Sequence, residues 1–169
     1  MNHILLAKAE LRREILTKRK AIVQEPLNLL SNLLQVIELE KPTRVASYVS
    51  YPTEPDTSKL IEILKEQGTA VLIPSTLPDG LLAWRDAVTG EEVLLESGDL
   101  LFVPALAADL SGNRLGRGKG YFDRELEKLN GVITYAVVFE REVLPQIPVE
   151  AHDQRVQALV TQEQIYKII

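Results

Sequence analysis

The chain has 169 residues, 46% hydrophobic and 25% charged, with a formal net charge of −5 and no cysteine. That length suits one domain with a sizeable core, and the missing cysteines exclude disulfides, thiolate metal sites and a thiol nucleophile. The acidic balance argues against a nucleic-acid binder, which is usually basic, and the apolar run at the N-terminus is too short for a signal peptide or a membrane span, so a cytoplasmic protein without membrane contact is expected.

The cations are unevenly placed. Lys8, Arg12, Arg13, Lys18, Arg19 and Lys20 crowd the start, and Arg114, Arg117, Lys119 and Arg124 crowd a later segment. Two local basic clusters in an acidic chain suit a small anionic ligand.

Residues 4–23 read as an amphipathic helix, with Ala7, Leu11, Ile15 and Ile22 as its apolar stripe. Lys8 and Arg12 are four apart and share a different face. Charge patterning alone gives a solvated basic face there; the alternative is a pair of cations reaching one phosphate chain. Pro26 opens a second helix, with Leu27, Leu30, Leu34 and Ile37 facing one way and Lys41-Pro42 closing it.

Arg44 to Ser50 reads as a strand. The loop Tyr51 to Pro55 carries Glu54, and Asp56, Thr57 or Ser58 caps a third helix that runs to about Gln67 and stops at Gly68. Thr69 to Pro74 reads as a buried strand of a parallel sheet. Pro78-Asp79-Gly80 is a turn, Leu81 to Asp86 a strand containing the only tryptophan, and Val93 to Leu95 a short extended piece. Leu100 to Pro104 is another buried strand. Phe122 to Asn130 reads as a helix, Val132 to Phe139 as a strand, Val156 to Thr161 as a last strand, and the tail to Ile169 as a short helix. The alternation predicts an α/β domain with a mostly parallel sheet, spanning residues 1–169 as one unit, with ligand loops beyond the carboxyl ends of its strands.

The most informative stretch is N-R-L-G-R-G-K-G-Y-F-D, Asn113 to Asp123. Gly116, Gly118 and Gly120 are spaced neither as a dinucleotide fingerprint nor as a P-loop. Glycines admit close backbone approach to a ligand, and successive N–H groups beside Arg and Lys make an anion site. A flexible surface loop is the bland alternative; Arg114, Lys119 and Asp123 favour phosphate and a metal. His152 reads as structural, since one His without a second ligand is weak. Trp84 reads as a core or edge aromatic at least as readily as a stacking platform, and Asp109 as a turn former with Ser111 and Gly112.

The segment from Gly98 to Asp123, G-D-L-L-F-V-P-A-L-A-A-D-L-S-G-N-R-L-G-R-G-K-G-Y-F-D, resembles the signature of the 5-formyltetrahydrofolate cyclo-ligase family. The opening K-A-E-L-R, Val49 with P-T-E-P-D-T, and the late I-P-V-E-A-H-D resemble further family motifs in the same order. The resemblance implies a three-layer α/β/α fold similar to ribose-5-phosphate isomerase and the CoA transferases. It implies an enzyme that uses ATP and Mg²⁺ to cyclise a reduced folate, 5-formyltetrahydrofolate, to the 5,10-methenyl form.

Position by position, the resemblance assigns Lys8, Arg12 and the run Arg114, Leu115, Gly116, Arg117, Gly118, Lys119, Gly120, Tyr121 and Phe122 to ATP. It assigns Val49, Glu54 and Arg117 to Tyr121 to folate, and Asp123 and Asp153 to the metal. Lys119 and Arg114 are the expected catalytic cations, and a monomer is expected. The chain departs from the family pattern at Ala105, Ala108, Phe122 and Glu142, and its segment from Trp84 to Asp99 is short. The phosphate and metal side therefore reads as intact and the folate side as altered, which leaves a divergent nucleotide-binding or regulatory member of the fold as the second reading.

Overall fold

The computed structural model describes residues 2–21 and 28–168. Helix α1 (His3–Lys20) is capped by the Asn2 side chain, which accepts from the Ile4 N–H. Helix α2 (Asn28–Glu40) follows, then strand β1 (Val45–Ser47) and helix α3 (Ser58–Glu66). Next come β2 (Val71–Thr76), β3 (Leu82–Asp86), β4 (Glu92–Val93), β5 (Leu100–Pro104), and the short pair β6 (Ala107–Ala108) and β7 (Arg114–Leu115). Helix α4 (Tyr121–Lys128), β8 (Ile133–Val137), a 3-10 turn (Glu140–Glu142), β9 (Ala158–Val160) and β10 (Ile165–Lys167) complete the order.

Among the described residues one eight-stranded sheet runs β10-β9-β8-β5-β1-β2-β3-β4, with β6 and β7 forming a separate two-stranded sheet. The five central strands, β9 to β2, are parallel, and β10, β3 and β4 join antiparallel at the edges. The pleat sends alternate side chains to opposite faces. Val45, Val71, Leu100, Phe102, Tyr135 and Val137 meet Leu29, Leu33 and Val36 of α2 and Leu60 and Leu64 of α3. Their neighbours Ala46, Leu72, Leu101, Val103 and Ala136 meet Trp84 and Leu126 of α4 on the other face. The result is the mostly parallel α/β sheet expected from the alternation of elements, in the three-layer α/β/α arrangement that the resemblance implied.

Strand β1 leads through α3 to β2 on one side, while β5 lies on its other side. The connections after β1 and β5 thus diverge, and a crevice opens at their carboxyl ends. The loops carrying Glu54 and Arg114–Gly120 leave from these two strands. Helix α1 packs on the small sheet: Ile15 is buried with Leu106, Ala107, Leu115 and Ile147.

Several expectations shift. The tail is a strand, not a helix; Tyr166 pairs with Leu159 across a turn closed by the Thr161 N–H donating to the Gln164 carbonyl. Ala7 is exposed, and the inner face of α1 is built on Lys8, Ile15 and Arg19. In α2 the fully buried residues are Leu29, Leu33 and Val36, with Leu30, Leu34 and Ile37 beside them. The expected strand over 44–50 is three residues long, so Val49 sits on the following loop. Helix α4 ends at Lys128, two residues earlier than expected, where Leu129 turns extended. The Ile22, Pro26 and Leu27 expectations lie outside the described residues.

Candidate active site

A cleft of about 890 Å³ opens where the loops after β1 and β5 part. Its wall from the β1 side carries Val49, Tyr51 and Glu54; its other wall carries the glycine segment from Arg114 to Asp123. Helix α1 contributes Lys8 and Arg12, the β2–β3 hairpin contributes Pro74, Thr76 and Leu82, and Glu150, His152 and Asp153 close one end. Every site residue named from sequence borders this one space.

Lys8 is 2% exposed, so the solvated reading of that face fails. Its ammonium donates to Glu150 at 2.9 Å and also to Asp153. Burial alone would raise the Asp153 carboxyl, but donation from Lys8 and from the Glu150 N–H holds it below its ordinary value. Arg12 lies on the same helix face and donates from Nε to the Gly116 carbonyl at 2.8 Å. The two cations therefore face inward and reach across to elements far along the chain.

The glycine segment begins as β7, whose pairing with β6 follows a tight turn. Asp109 Oδ1 accepts from the Ser111 N–H at 3.0 Å, as its turn reading required, and Oδ2 also accepts from the Ile147 N–H at 2.9 Å. Gly118 and Gly120 take φ of +106° and +74°, a region open to glycine at little cost. At Gly120, the N-cap of α4, a Cβ would lie 2.9 Å from the Arg124 guanidinium. Arg124 occupies that space to donate to the carbonyls of Gly80 and Lys119, both at 2.9 Å, so it joins the glycine loop to the β2–β3 hairpin.

Arg114 is buried, and its Nη2 donates to Asp123 at 3.0 Å. Burial pulls its guanidinium below the ordinary value, while Asp123 and Asp153 both act to raise it. Its Nε is buried with no hydrogen-bond partner among the described residues, an unusual state for a buried donor. Asp123 also accepts from the Gln154 N–H at 3.0 Å, which ties α4 to the segment after Asp153. Glu150, His152 and Asp153 place ligand atoms within 4.8 Å of one another. His152 is 72% exposed at its side chain and stands 3.7 Å from Asp153.

Across the cleft, Glu54 is 6% exposed. Its Oε2 accepts from the Tyr51 N–H at 2.8 Å, and its Oε1 accepts from Arg117 Nε at 3.2 Å. The Arg117 guanidinium lies 5.3 Å from the Tyr51 ring centre. Lys119 is exposed and enters no ion pair with the described residues.

Trp84 belongs to the core, as its bland reading held: it is 2% exposed, donates to Glu125 at 2.9 Å and meets Phe122 edge-on at 6.4 Å. Sequence reasoning missed Glu150, Tyr51, Arg124 and the inward turn of Arg19. Glu150 stood in the quoted I-P-V-E-A-H-D run, and Arg19 follows Lys8 by eleven residues, about three helical turns.

A model of the 5-formyltetrahydrofolate cyclo-ligase family matches residues 5–162. The 5-formyltetrahydrofolate cyclo-ligase of Mycolicibacterium smegmatis is 32% identical over 174 residues, covering 87% of this chain and 89% of the relative. The Mus musculus protein of the same name is 29% identical over 191 residues, covering 93% and 94%. The NMR structure of Aquifex aeolicus 5,10-methenyltetrahydrofolate synthetase superposes with a TM-score of 0.82 at 28% identity, covering 95% of this chain and 92% of that one. A family model that matches from α1 through β9, well over half of the chain and including both loops of the cleft, settles the membership: the chain belongs to the 5-formyltetrahydrofolate cyclo-ligase family.

Proposed function

We propose that this protein is an ATP-dependent 5-formyltetrahydrofolate cyclo-ligase that acts through the cleft between the β1 and β5 loops. The carrying observation is the convergence of Lys8, Arg12, Glu54, Arg114 to Asp123 and Asp153 on one space. The formyl oxygen on N5 attacks the γ-phosphorus of ATP and ADP departs. N10 then attacks the activated carbon and gives up its proton to a phosphate oxygen, the carbon–oxygen bond breaks, and phosphate leaves with the former formyl oxygen, giving 5,10-methenyltetrahydrofolate.

Phosphoryl transfer asks for positioning and charge neutralisation more than for covalent chemistry. Lys8 and Arg12 meet the phosphates from one side, and Arg114 and Lys119 from the other. The segment Leu115 to Phe122 borders the same path. The orphaned Arg114 Nε is a donor already desolvated for an oxyanion partner. Glu54 accepts hydrogen bonds from the pterin edge, and Val49 and the backbone of Arg117 to Tyr121 bound the folate. For that contact Arg117 swings off Glu54, which its half-exposed side chain permits.

Magnesium fits the donors present. A hard cation takes carboxylate oxygens, and Asp123 and Asp153 both act on the one buried Arg114 guanidinium, with Glu150 beside Asp153. When bound there it supplies charge neutralisation to the phosphate chain. Lys8 and Arg114, which hold these carboxylates in the free protein, orient their oxygens toward the cleft. The protein acts as a cytoplasmic monomer on ATP and reduced folate, and none of its helices among the described residues is long and apolar enough to cross a membrane.

The test is the purified chain with Mg-ATP and 5-formyltetrahydrofolate, followed by methenyl absorbance. ATP-dependent product supports the reading. Calorimetric ATP binding with neither folate binding nor product would instead support the divergent nucleotide-binding member.

A further inference from the structure

Arg19 was one cation in a crowd, and Glu142 was a departure from the family pattern with no assigned role. The fold joins them. Arg19 is 1% exposed, yet it borders the cleft. Its Nε donates to Glu142 Oε1 at 2.7 Å, and its Nη2 donates to Glu142 Oε2 at 2.8 Å and to the Ala105 carbonyl at 2.7 Å. Glu142 Oε2 also accepts from the Phe139 N–H at 3.0 Å, and the guanidinium lies 5.5 Å from the Phe139 ring centre. One side chain thus ties α1 to the chain just past β5 and just past β8.

Helix α1 buries little apolar area of its own, essentially Ile15 with Leu11 and Leu16 beside it. Its placement rests on three polar anchors along one face: Lys8 on Glu150 and Asp153, Arg12 on the Gly116 carbonyl, and Arg19 on Glu142 and Ala105. The first two must loosen their partners to take phosphate oxygens. The third has no such duty, and its planar fork matches a carboxylate in a fixed orientation.

We infer that Arg19 is a positioning residue: clamped by Glu142 and the Ala105 carbonyl, it holds α1 in register so that Lys8 and Arg12 meet the phosphates of ATP. This rests on the assignment of Lys8 and Arg12 to ATP made above. Glu142 makes the clamp a fully compensated ion pair.

The experiment uses the full chain carrying Arg19→Met with Glu142→Gln, so that no buried carboxylate is left alone, beside Glu142→Gln by itself. KM is measured separately for Mg-ATP and for 5-formyltetrahydrofolate, with circular dichroism melts to establish folding. The double variant raises KM for Mg-ATP about tenfold, the scale of one lost charge-assisted bond, and moves KM for folate less than about threefold. Glu142→Gln alone gives an intermediate KM for Mg-ATP, because an acceptor oxygen remains. A folded double variant with wild-type KM for Mg-ATP overturns the inference, as does an equal rise in both constants, which marks general loosening. If the double variant does not fold, an unchanged KM for Mg-ATP in Glu142→Gln overturns it. If the wild-type chain makes no methenyl product, the functional reading fails on its own, and calorimetric Mg-ATP affinities of the same variants decide the role of Arg19 by the same ordering.

Discussion

Glu54→Gln separates binding from stability more cleanly than any other change in the cleft. The carboxylate is buried, but its ionic partner Arg117 is 39% exposed at the side chain and stands 3.2 Å away. Solvent screens such a pair, so its contribution to folding is at most about 1 kcal/mol. Glutamine keeps a carbonyl oxygen for the Tyr51 N–H, so the loop's own hydrogen bond at 2.8 Å survives. The melting temperature should therefore fall by no more than about 2–4 °C. Folate binding loses more. A carboxylate facing two pterin donors makes charge-assisted bonds, and losing that charge costs about 1.5–3 kcal/mol. This is a factor of about 10 to 150 in kcat/KM for 5-formyltetrahydrofolate. KM for Mg-ATP should stay within about threefold, since the residues proposed to meet the phosphates lie on α1 and the opposite wall. Steady-state kinetics with each substrate varied in turn, beside a thermal melt, reads all three quantities. A large drop in melting temperature with an unchanged folate constant would refute the assignment and make Glu54 a structural residue of the β1 loop.

Other expectations follow from the same geometry. Lys119→Ala should lower turnover at least about a hundredfold, the scale of a lost electrostatic contact to the transition state, while its stability changes by about 0.5 kcal/mol or less because the side chain is exposed and unpaired; unchanged turnover would count against its phosphate role. The depressed Asp153 carboxyl contributes stability that is present above its unfolded value and lost as pH falls through the lower folded value. The gap in melting temperature between the wild type and Lys8→Met should therefore shrink from about pH 7 to about pH 3, and a constant gap would contradict the pairing. Burial pushes the Tyr135 and Tyr166 phenols up to about 12, with the Glu140 hydrogen bond adding to burial at Tyr166. Spectrophotometric titration should find the Tyr135 and Tyr166 phenols still protonated at about pH 11, and the folded state loses stability as pH rises from the ordinary phenol value of about 10 through about 12.

The sheet was legible because its strands are short apolar runs bounded by turn residues. Leu100 to Pro104 is buried on both faces and carries no polar residue to blur the pattern. Helix α3 was legible from Leu60 and Leu64 on one side and Gly68 at its end, where φ is +74°. The tail failed because β10 owes its existence to its partner: Ile165–Lys167 alone carries no period, and the hairpin with β9 fixes it. The inner face of α1 failed for a related reason. Periodicity scores apolar residues, yet Lys8 and Arg19 are buried by carboxylates 142 and 123 residues downstream. No pattern local to a helix reports partners at that distance. The candidate site was legible as a set of motifs, with Glu54 and the glycine segment on loops that follow strands and the Lys8–Arg12 pair four apart on α1. What the motifs withheld were the contacts among them, such as Arg114 on Asp123 and Arg117 on Glu54.

The proposed function has this cleft phosphorylate the formyl oxygen of the folate. Its most direct test places an isotopic oxygen label in the formyl group of 5-formyltetrahydrofolate, adds the protein with Mg-ATP, and recovers the inorganic phosphate for mass spectrometry. The expected outcome is methenyl product together with phosphate carrying the label. Label released to water while ATP is consumed, or no ATP-dependent product from folded protein, would contradict it.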